Sequence, residues 1–230
     1  MNDNSYVGRE YLTSLLERNL KVDVLSIGTS PETDSVEEER CGGKWKPKVM
    51  GELTPFFALS RFPSLTSTAL FDFLSQQRYD LAIQGGTGII KQPLIEQFEI
   101  GIFNFHPGDL PTYRGCSAPE WQLLHGKPVV CTCHLIDEGI DSGPVYTRQI
   151  LTTNQDDYCS FRASIYPEIA RFQSDTINTI SRHGELLIEP VPQSPENAVY
   201  RKYIGEELLS SLKSRFPLTQ RPNVEPGIDV

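Results

Sequence analysis

The chain has 230 residues with 21 basic and 30 acidic side chains, so its formal net charge at pH 7 is −9. This length suits one main domain with a full core, and the negative charge would repel the phosphates of a nucleic acid. No apolar run approaches the roughly 20 residues that span a bilayer, and the start MNDNSYVGRE lacks the features of a signal peptide. We therefore expect a cytoplasmic protein that does not enter a membrane and for which a nucleic acid partner is disfavoured but not excluded.

The cysteines do not form a recognisable metal set. Their number, 5, is odd, and no second CxC or CxxC accompanies Cys131 and Cys133. We predict reduced, mostly buried thiols and no bound metal.

The first half of the chain predicts helices that alternate with strands. In chain order we predict a helix at 11–16, a strand at 22–27, a loop at 29–53, a helix capped by Thr66 or Ser67, a strand at 81–84, a helix at 93–98 and a strand at 101–105. The apolar spacing changes from the helical period to the alternation of a strand at each of these boundaries, which is typical of an α/β domain.

The second half continues the pattern. We predict a helix ended by Gly126, strands at 128–136 and 144–153, a long helix capped near Thr153 or Asn154 with a kink or break at Pro167 and an end at Gly184, and a short helix at 206–214. The expected organisation is an α/β domain over residues 1–184 with a mostly parallel central sheet, followed by a tail at 185–230. In such sheets, sites gather at the carboxyl ends of the strands.

A polar segment follows the strand at 101–105, in the sequence NFHPGDLPTYRG. In an extended segment Asn104 and His106 point to the same face, just where Pro107 and Gly108 end the strand. Asp141 follows in a glycine-punctuated loop between the next two predicted strands. An amide donor, an imidazole and a carboxylate are the groups needed for acyl transfer. The amide and an imidazolium stabilise the developing oxyanion, and the carboxylate orients the imidazole and keeps it protonated.

These motifs resemble those of the formyltransferases that use 10-formyltetrahydrofolate. The resemblance rests on NFHPGDLPTYRG, on CTCHLIDEGIDSGPVY and on the distance between them, and it covers residues 81–150. It implies a Rossmann-like fold. It also implies that Asn104 binds the formyl oxygen, that His106 acts as electrophile and acid, and that Asp141 holds His106 and relays the proton. No metal takes part in this chemistry.

The resemblance also implies where the substrates bind. The pterin site would be formed by Gly86, Thr87, Gly88, Ile89 and Ile90, with the loop Asp137, Glu138, Gly139 and Ile140 closing over it. Tyr113 and Arg114 would lie beside the reaction centre. In the tail, Tyr200, Arg201 and Tyr203 either contact a nucleotide or merely anchor the tail to the domain.

The N-terminus departs from the family pattern. Members of the family begin with a strand, whereas only residues 1–4 precede the first apolar helix here, so either this strand is missing or the chain begins downstream of it. Its loss would expose the edges of its neighbours, which is costly unless a partner, such as a second copy in a homodimer, covers them. In the family the turn after this strand helps to hold the acceptor, which makes Asn4, Ser5 and Tyr6 candidates for acceptor contacts.

We therefore expect an N-formyltransferase whose acceptor is a primary amine of a small molecule, foremost a nucleotide-linked amino sugar. Glycinamide ribonucleotide and methionyl-tRNA are alternative acceptors, but the residues after Gly184 are too few for the barrel domain of the tRNA branch. A hydrolase that releases formate would use the same three residues. A folate-binding protein without turnover is the alternative from another class.

Overall fold

The computed structural model describes residues 1–28 and 33–218 of the chain, with the backbone alone at 33–36. Helix α1 (Tyr6–Glu17) begins at Ser5, whose Oγ accepts a hydrogen bond from the Gly8 N–H. The next elements are β1 (Asp23–Ile27), α2 (Thr33–Cys41), α3 (Met50–Leu53), β2 (Ala58–Phe62) and α4 (Thr68–Ser75). The loop expected at 29–53 therefore contains two helices, while its residues 29–32 lie outside the described part.

The second half contains most of the strands. Its elements are β3 (Leu81–Ile83), α5 (Gln92–Ile95), β4 (Gly101–His106), β5 (Arg114–Gly115), α6 (Ala118–Leu124), β6 (Val130–Leu135), β7 (Val145–Ile150), α7 (Tyr158–His183), β8 (Tyr200–Arg201) and α8 (Glu206–Lys213). The long helix begins after Asp157 rather than near Thr153, because the Asp157 carboxylate accepts the hydrogen bond of the Ser160 N–H. It continues without a break through Pro167.

The main sheet has the order β3-β4-β6-β7, with β3 and β4 parallel and the other two pairs antiparallel. The predicted α/β class is confirmed. The expected parallel arrangement holds for β3 with β4 and for β1 with β2, and it gives way to antiparallel pairing from β4 onward. Residues 136–144, which join β6 to β7, are too few for the crossover that parallel strands require.

Helix α7 packs its apolar side against this sheet. Phe161 and Ile165 of α7 and Phe103 of β4 are fully buried, and Phe172 stacks edge-on against Phe105. Because β4 is buried along almost its whole length, it reads as a nearly continuous apolar run in which Asn104 and His106 are the polar exceptions.

The described part of the tail is packed on the domain. Strand β8 pairs in parallel with β5, and Leu212 of α8 is fully buried in the main core. Residues 219–230 lie outside the described part. The division into a domain at 1–184 and a tail at 185–230 stays a prediction. No helix in the described ranges combines the length and the apolar character needed to cross a membrane.

Strands β1 and β2 form a sheet of their own, and no pairing among the described residues joins it to the main sheet. A cavity of about 840 Å³ lies where β1 and β3 face each other. The expected exposure of strand edges near the N-terminus is therefore present in the structure.

Candidate active site

The predicted catalytic residues meet at the end of β4. Asn104 pairs with His134 across the antiparallel ladder, and His106 pairs with Thr132. Asn104 Nδ2 donates a hydrogen bond to Asp141 Oδ1 at 3.3 Å. His106 Nδ1 lies 3.5 Å from Asp141 Oδ2. The structure thus brings together all three residues from two separate parts of the sequence.

Asp141 is held by the backbone as well as by its side chain. Its φ of 50° lies in the left-handed region, which aspartate tolerates better than most residues. Its Oδ2 accepts a hydrogen bond of 2.8 Å from the Gly115 N–H. The left-handed backbone of Asp141 and the hydrogen bond from Gly115 therefore direct the carboxylate toward the end of β4.

The ring of His106 is fixed on both sides. Its Nε2 lies 2.6 Å from the carbonyl oxygen of Tyr113, which can only accept, so Nε2 carries a proton. Gly108 makes this contact possible, because a Cβ there would lie 2.5 Å from both His106 Nε2 and the Tyr113 oxygen. The first glycine of the motif, Gly108, is thus explained by lack of space and not by a turn alone.

Burial and the carboxylate act in opposite directions on His106. Burial lowers the pKa of His106 below the usual 6.5, against the opposing effects of Asp141 and the Tyr113 carbonyl. Burial would raise the pKa of Asp141, but hydrogen bonds and charge from His134, His106 and the Gly115 N–H lower it to about 2. In the free site at neutral pH, His106 is therefore mainly neutral and Asp141 is ionised. The sequence argument expected the carboxylate to keep the imidazole protonated, and burial opposes this.

His134 also belongs to the site. It is 2% exposed, its Nδ1 lies 2.8 Å from the Leu135 carbonyl oxygen, and its Nε2 lies 3.2 Å from Asn104 Nδ2. It therefore orients the amide that would bind the formyl oxygen. The signal that could have found it is its place near the end of the predicted strand at 128–136, just before the loop that contains Asp141.

Two buried polar side chains hold the turn after His106. Thr132 Oγ1 donates a hydrogen bond to the Gly108 carbonyl oxygen at 2.7 Å. The amide of Gln122 accepts from the Asp109 N–H and donates to the Pro107 carbonyl oxygen. Neither residue stood out in the sequence, since each lies in an otherwise ordinary strand or helix.

The tail contributes Gln193 to the same region. Its Nε2 donates hydrogen bonds to the carbonyl oxygens of Asp141 and Gly143, at 2.9 and 2.7 Å. Its Oε1 accepts two hydrogen bonds from the guanidinium of Arg114. One amide thus joins the tail, the Asp141 loop and the predicted substrate loop, a role that the proline-rich segment PVPQSP did not indicate.

The predicted pterin segment directly follows β3, beside the end of β4. Gly86 has a φ of 74° and approaches Ser5 so closely that a Cβ would lie 2.4 Å from the serine Oγ. Thr87 Oγ1 is buried without a hydrogen-bond partner among the described residues, and Ile89 is 72% exposed. Gly88 has open space around its Cβ position, whereas Ile90 packs into the neighbouring core.

The predicted closing loop, 137–141, holds itself together and presents an apolar side chain. Asp137 Oδ1 accepts hydrogen bonds from the Gly139 N–H and the Ser142 hydroxyl, Glu138 is exposed, and Ile140 is 49% exposed. An unpartnered hydroxyl at Thr87, together with exposed isoleucines on this loop and the pterin segment, fits a flat ligand with apolar faces and polar edges.

The predicted acceptor residues occupy different places. Ser5 is engaged as the cap of α1, and the Tyr6 ring packs edge-on against Trp45. Asn4 is exposed. Tyr113 is buried, and its carbonyl oxygen contacts His106. Arg114 donates to the side-chain amide of Gln193.

A cavity of about 240 Å³ opens beside His106. Its lining includes Glu37, Arg40, Cys116, Arg162 and Tyr203. The Arg40 guanidinium lies 5.7 Å from the ring centroid of Tyr203, and Tyr203 is 68% exposed, so this pair forms the rim. By contrast, Arg201 packs over Tyr113 and Trp121 and anchors the tail. No group of three or more potential metal ligands occurs in the ranges that the structure describes.

Comparison with known proteins decides the family. The family model described as "Formyl transferase" matches residues 3–162. The chain belongs to the formyl transferase family. A methionyl-tRNA formyltransferase from Trichodesmium erythraeum is 30% identical over 201 residues, which cover 84% of this chain and 57% of that protein. The chain thus spans little more than half the length of this curated relative.

Solved members of the formyl transferase family share the fold. A formyltransferase from Anoxybacillus kamchatkensis, in complex with UDP-4,6-dideoxy-4-formamido-L-AltNAc and tetrahydrofolate, has a TM-score of 0.51 and 19% identity, covering 79% of this chain and 86% of that one. Glycinamide ribonucleotide transformylase 1 from Symbiobacterium toebii has a TM-score of 0.55 and 22% identity, covering 84% and 90%. At these identities, the likeness concerns the fold.

Proposed function

We propose that this protein transfers a formyl group from 10-formyltetrahydrofolate to a primary amine. The observation that carries the proposal is the convergence of Asn104, His106 and Asp141, with the amide and the imidazole both in contact with one ionised carboxylate. Membership of the formyl transferase family supports it. The folate would occupy the side of the site bordered by segments 86–90 and 137–141.

The chain's own residues would stabilise charge and move protons. As the amine attacks, a bond forms between its nitrogen and the formyl carbon, and the bond between that carbon and the folate N10 breaks. Asn104 Nδ2 and a ring N–H of His106 would donate to the formyl oxygen, exchanging contacts that they make in the free site. Asp141 would accept the proton that the amine loses and pass it toward N10.

We further propose that the amine belongs to a nucleotide-linked amino sugar. The cavity beside His106 is large enough for a sugar ring, and its rim offers a guanidinium and an exposed aromatic ring, Arg40 and Tyr203. Such a pair can meet a diphosphate and stack on a base. The net charge of −9 disfavours a tRNA acceptor, although a methionyl-tRNA formyltransferase is among the relatives in sequence.

A panel of purified amines tests this acceptor class. Initial rates are measured with 10-formyltetrahydrofolate and thymidine- or uridine-linked amino sugars, glycinamide ribonucleotide or methionyl-tRNA. We expect the highest kcat/KM for a nucleotide-linked amino sugar, and a Tyr203→Ala variant should raise KM for that substrate with little change in kcat. Equal or better use of either other acceptor would refute the sugar assignment.

Two alternatives are distinguished by the same assay. Release of formate at the same rate with and without an amine would indicate a hydrolase. Saturable folate binding without transfer to any amine would indicate a binding protein that lacks turnover.

A further inference from the structure

One wall of the cavity beside His106 carries a carboxylate that is held by two donors. Glu37 of α2 and Arg162 of α7 both line this cavity. Glu37 Oε2 accepts a hydrogen bond of 2.8 Å from Arg162 Nη2 and a second one from the hydroxyl of Tyr166. Its Oε1 lies 4.0 Å from Arg40 Nη1, beyond hydrogen-bond distance, and no donor among the described residues bonds to it. One oxygen of this carboxylate is therefore available to a ligand in the cavity.

The groups that hold Glu37 are buried and have partners of their own. Arg162 is 5% exposed, and its Nη1 lies 3.4 Å from Oε1 of Glu120, which is fully buried. Trp45 stacks on the ring of Tyr166, with 4.1 Å between the ring centroids. If the guanidinium moved, it would leave the buried carboxylate of Glu120 without its charge partner, which is strongly unfavourable. Arg162 and Tyr166 therefore keep Glu37 in one orientation relative to the cavity.

The chemistry of the ligand group follows from the free oxygen. An ionised carboxylate accepts hydrogen bonds and donates none, so Glu37 Oε1 requires a donor on the ligand. The reactive amine would lie beside Asp141, which would take its proton, so this donor is another group of the acceptor. Because His106 and Glu37 line one cavity of about 240 Å³, the donor belongs to the sugar ring that carries the amine. A ring hydroxyl supplies the required O–H, and a hydrogen bond to an ionised oxygen is among the stronger ones.

We propose that Glu37 determines acceptor specificity by accepting a hydrogen bond from a hydroxyl group on the sugar ring that carries the amine. Arg162 and Tyr166 act through Glu37 as positioning residues. This inference rests on the proposed function and adds to it the group that the cavity recognises. An acceptor without that hydroxyl would leave the carboxylate oxygen unpaired in the filled cavity, and a site built to bond a hydroxyl rejects the analogue that lacks it.

The test compares acceptors that differ by one hydroxyl group. Calorimetry measures the binding of a thymidine-diphosphate-linked amino sugar, and of analogues in which each remaining ring hydroxyl is replaced by hydrogen in turn. We expect one analogue to bind the wild-type protein about tenfold more weakly or worse, the loss typical of a hydrogen bond to a charged group. In Glu37→Ala this difference should fall below about threefold. The matched control Glu39→Ala, which changes an exposed glutamate of the same helix, should keep the difference.

A second variant covers a loss of stability in Glu37→Ala. Glu37→Gln keeps the shape of the side chain and an oxygen that accepts from Arg162. The group that faces the cavity would then be an uncharged N–H, so the difference between the two acceptors should shrink. Equal binding of all analogues by the wild-type protein, or an unchanged difference in both variants, would overturn the proposal.

Formyl transfer to the same acceptors is measured in parallel, so that the two conclusions can fail separately. Transfer without a hydroxyl preference would overturn the role of Glu37 and leave the proposed function intact. A hydroxyl preference that depends on Glu37, without any transfer, would support this inference and overturn the proposed function. If the wild-type protein bound none of these sugars, the sugar assignment and the role of Glu37 would both be wrong.

Discussion

At the scale of single residues, the site depends on a histidine whose environment opposes its charge. Burial lowers the pKa of His106, and the ionised Asp141 beside it only partly compensates. A neutral imidazole fits this position, because its one proton, on Nε2, faces the Tyr113 carbonyl oxygen. The low pKa of Asp141 keeps the carboxylate available as a proton acceptor over the whole neutral range.

We predict that His106 titrates below 6.5 in the free protein and that Asp141→Asn lowers its pKa further, since the variant removes the charge that raises it. The measurement is a titration of ¹⁵N-labelled histidine by NMR, with His106→Gln to assign the resonance. Because the pKa of His106 is lower in the folded protein than in the unfolded chain, the free energy of unfolding should decrease as pH falls through 6.5. A midpoint above 6.5 in the wild-type protein would contradict the account.

Gly108 provides a second test at this scale. We predict that Gly108→Ala lowers kcat at least tenfold, because its methyl group would overlap His106 Nε2 and the Tyr113 oxygen. The matched control is Gly51→Ala, where nothing lies within 4 Å of the added Cβ. Overpacking costs about 1–3 kcal/mol, so Tm should fall in the first variant alone. Full activity in Gly108→Ala would show that the ring is not held as described.

At the scale of elements, the tail is part of the site. Gln193 joins the Asp141 loop to Arg114, and β8 pairs with β5 next to the Gly115 N–H that holds Asp141. Removing this amide would leave two carbonyl oxygens and a guanidinium without their partners and would loosen the carboxylate.

We predict that Gln193→Ala lowers kcat by about tenfold or more, with a smaller effect on folate binding. Gln193→Glu should behave similarly, because the glutamate keeps the oxygen that accepts from Arg114 but loses the two N–H groups that donate to the carbonyl oxygens of Asp141 and Gly143. Each lost hydrogen bond should also cost about 0.5–1.5 kcal/mol of stability. Steady-state kinetics and thermal unfolding are compared with Gln77→Ala, an exposed glutamine. Activity like that of the control would limit Gln193 to anchoring the tail.

The elements that the sequence predicted are those with a clear period. Strand β4 and helix α7 were found because their apolar residues repeat over many positions, and Asn104, His106 and Asp141 followed from the ends of predicted strands. Strand β8 and the role of Gln193 were missed, because a two-residue strand has no period and a single amide in a proline-rich segment carries no local signal. The 33–41 helix was also missed, since its charged composition masks any apolar side.

At the scale of the whole molecule, the strands around the site belong to two separate sheets, β1-β2 and β3-β4-β6-β7. Of the proposed catalytic residues, Asn104 and His106 lie on β4 of the four-stranded sheet, and Asp141 lies in the loop between β6 and β7. This sheet has the large core around β4 and α7. The N-terminal turn, which would border the acceptor, depends on β1 and on the contact of Gly8 with Gly85. The proposed formyl transfer would therefore require both parts of the molecule to keep their positions.

The most direct test of the central claim is the transfer of a ¹³C-labelled formyl group. The 230-residue chain is mixed with [¹³C-formyl]10-formyltetrahydrofolate and a nucleotide-linked amino sugar, and the formamide carbon is followed by NMR. The account predicts a labelled formamide from the wild-type protein and a rate about 10²–10³ lower for Asn104→Ala, the loss expected for one oxyanion donor. Labelled formate alone, or equal formamide formation by wild type and Asn104→Ala, would contradict it.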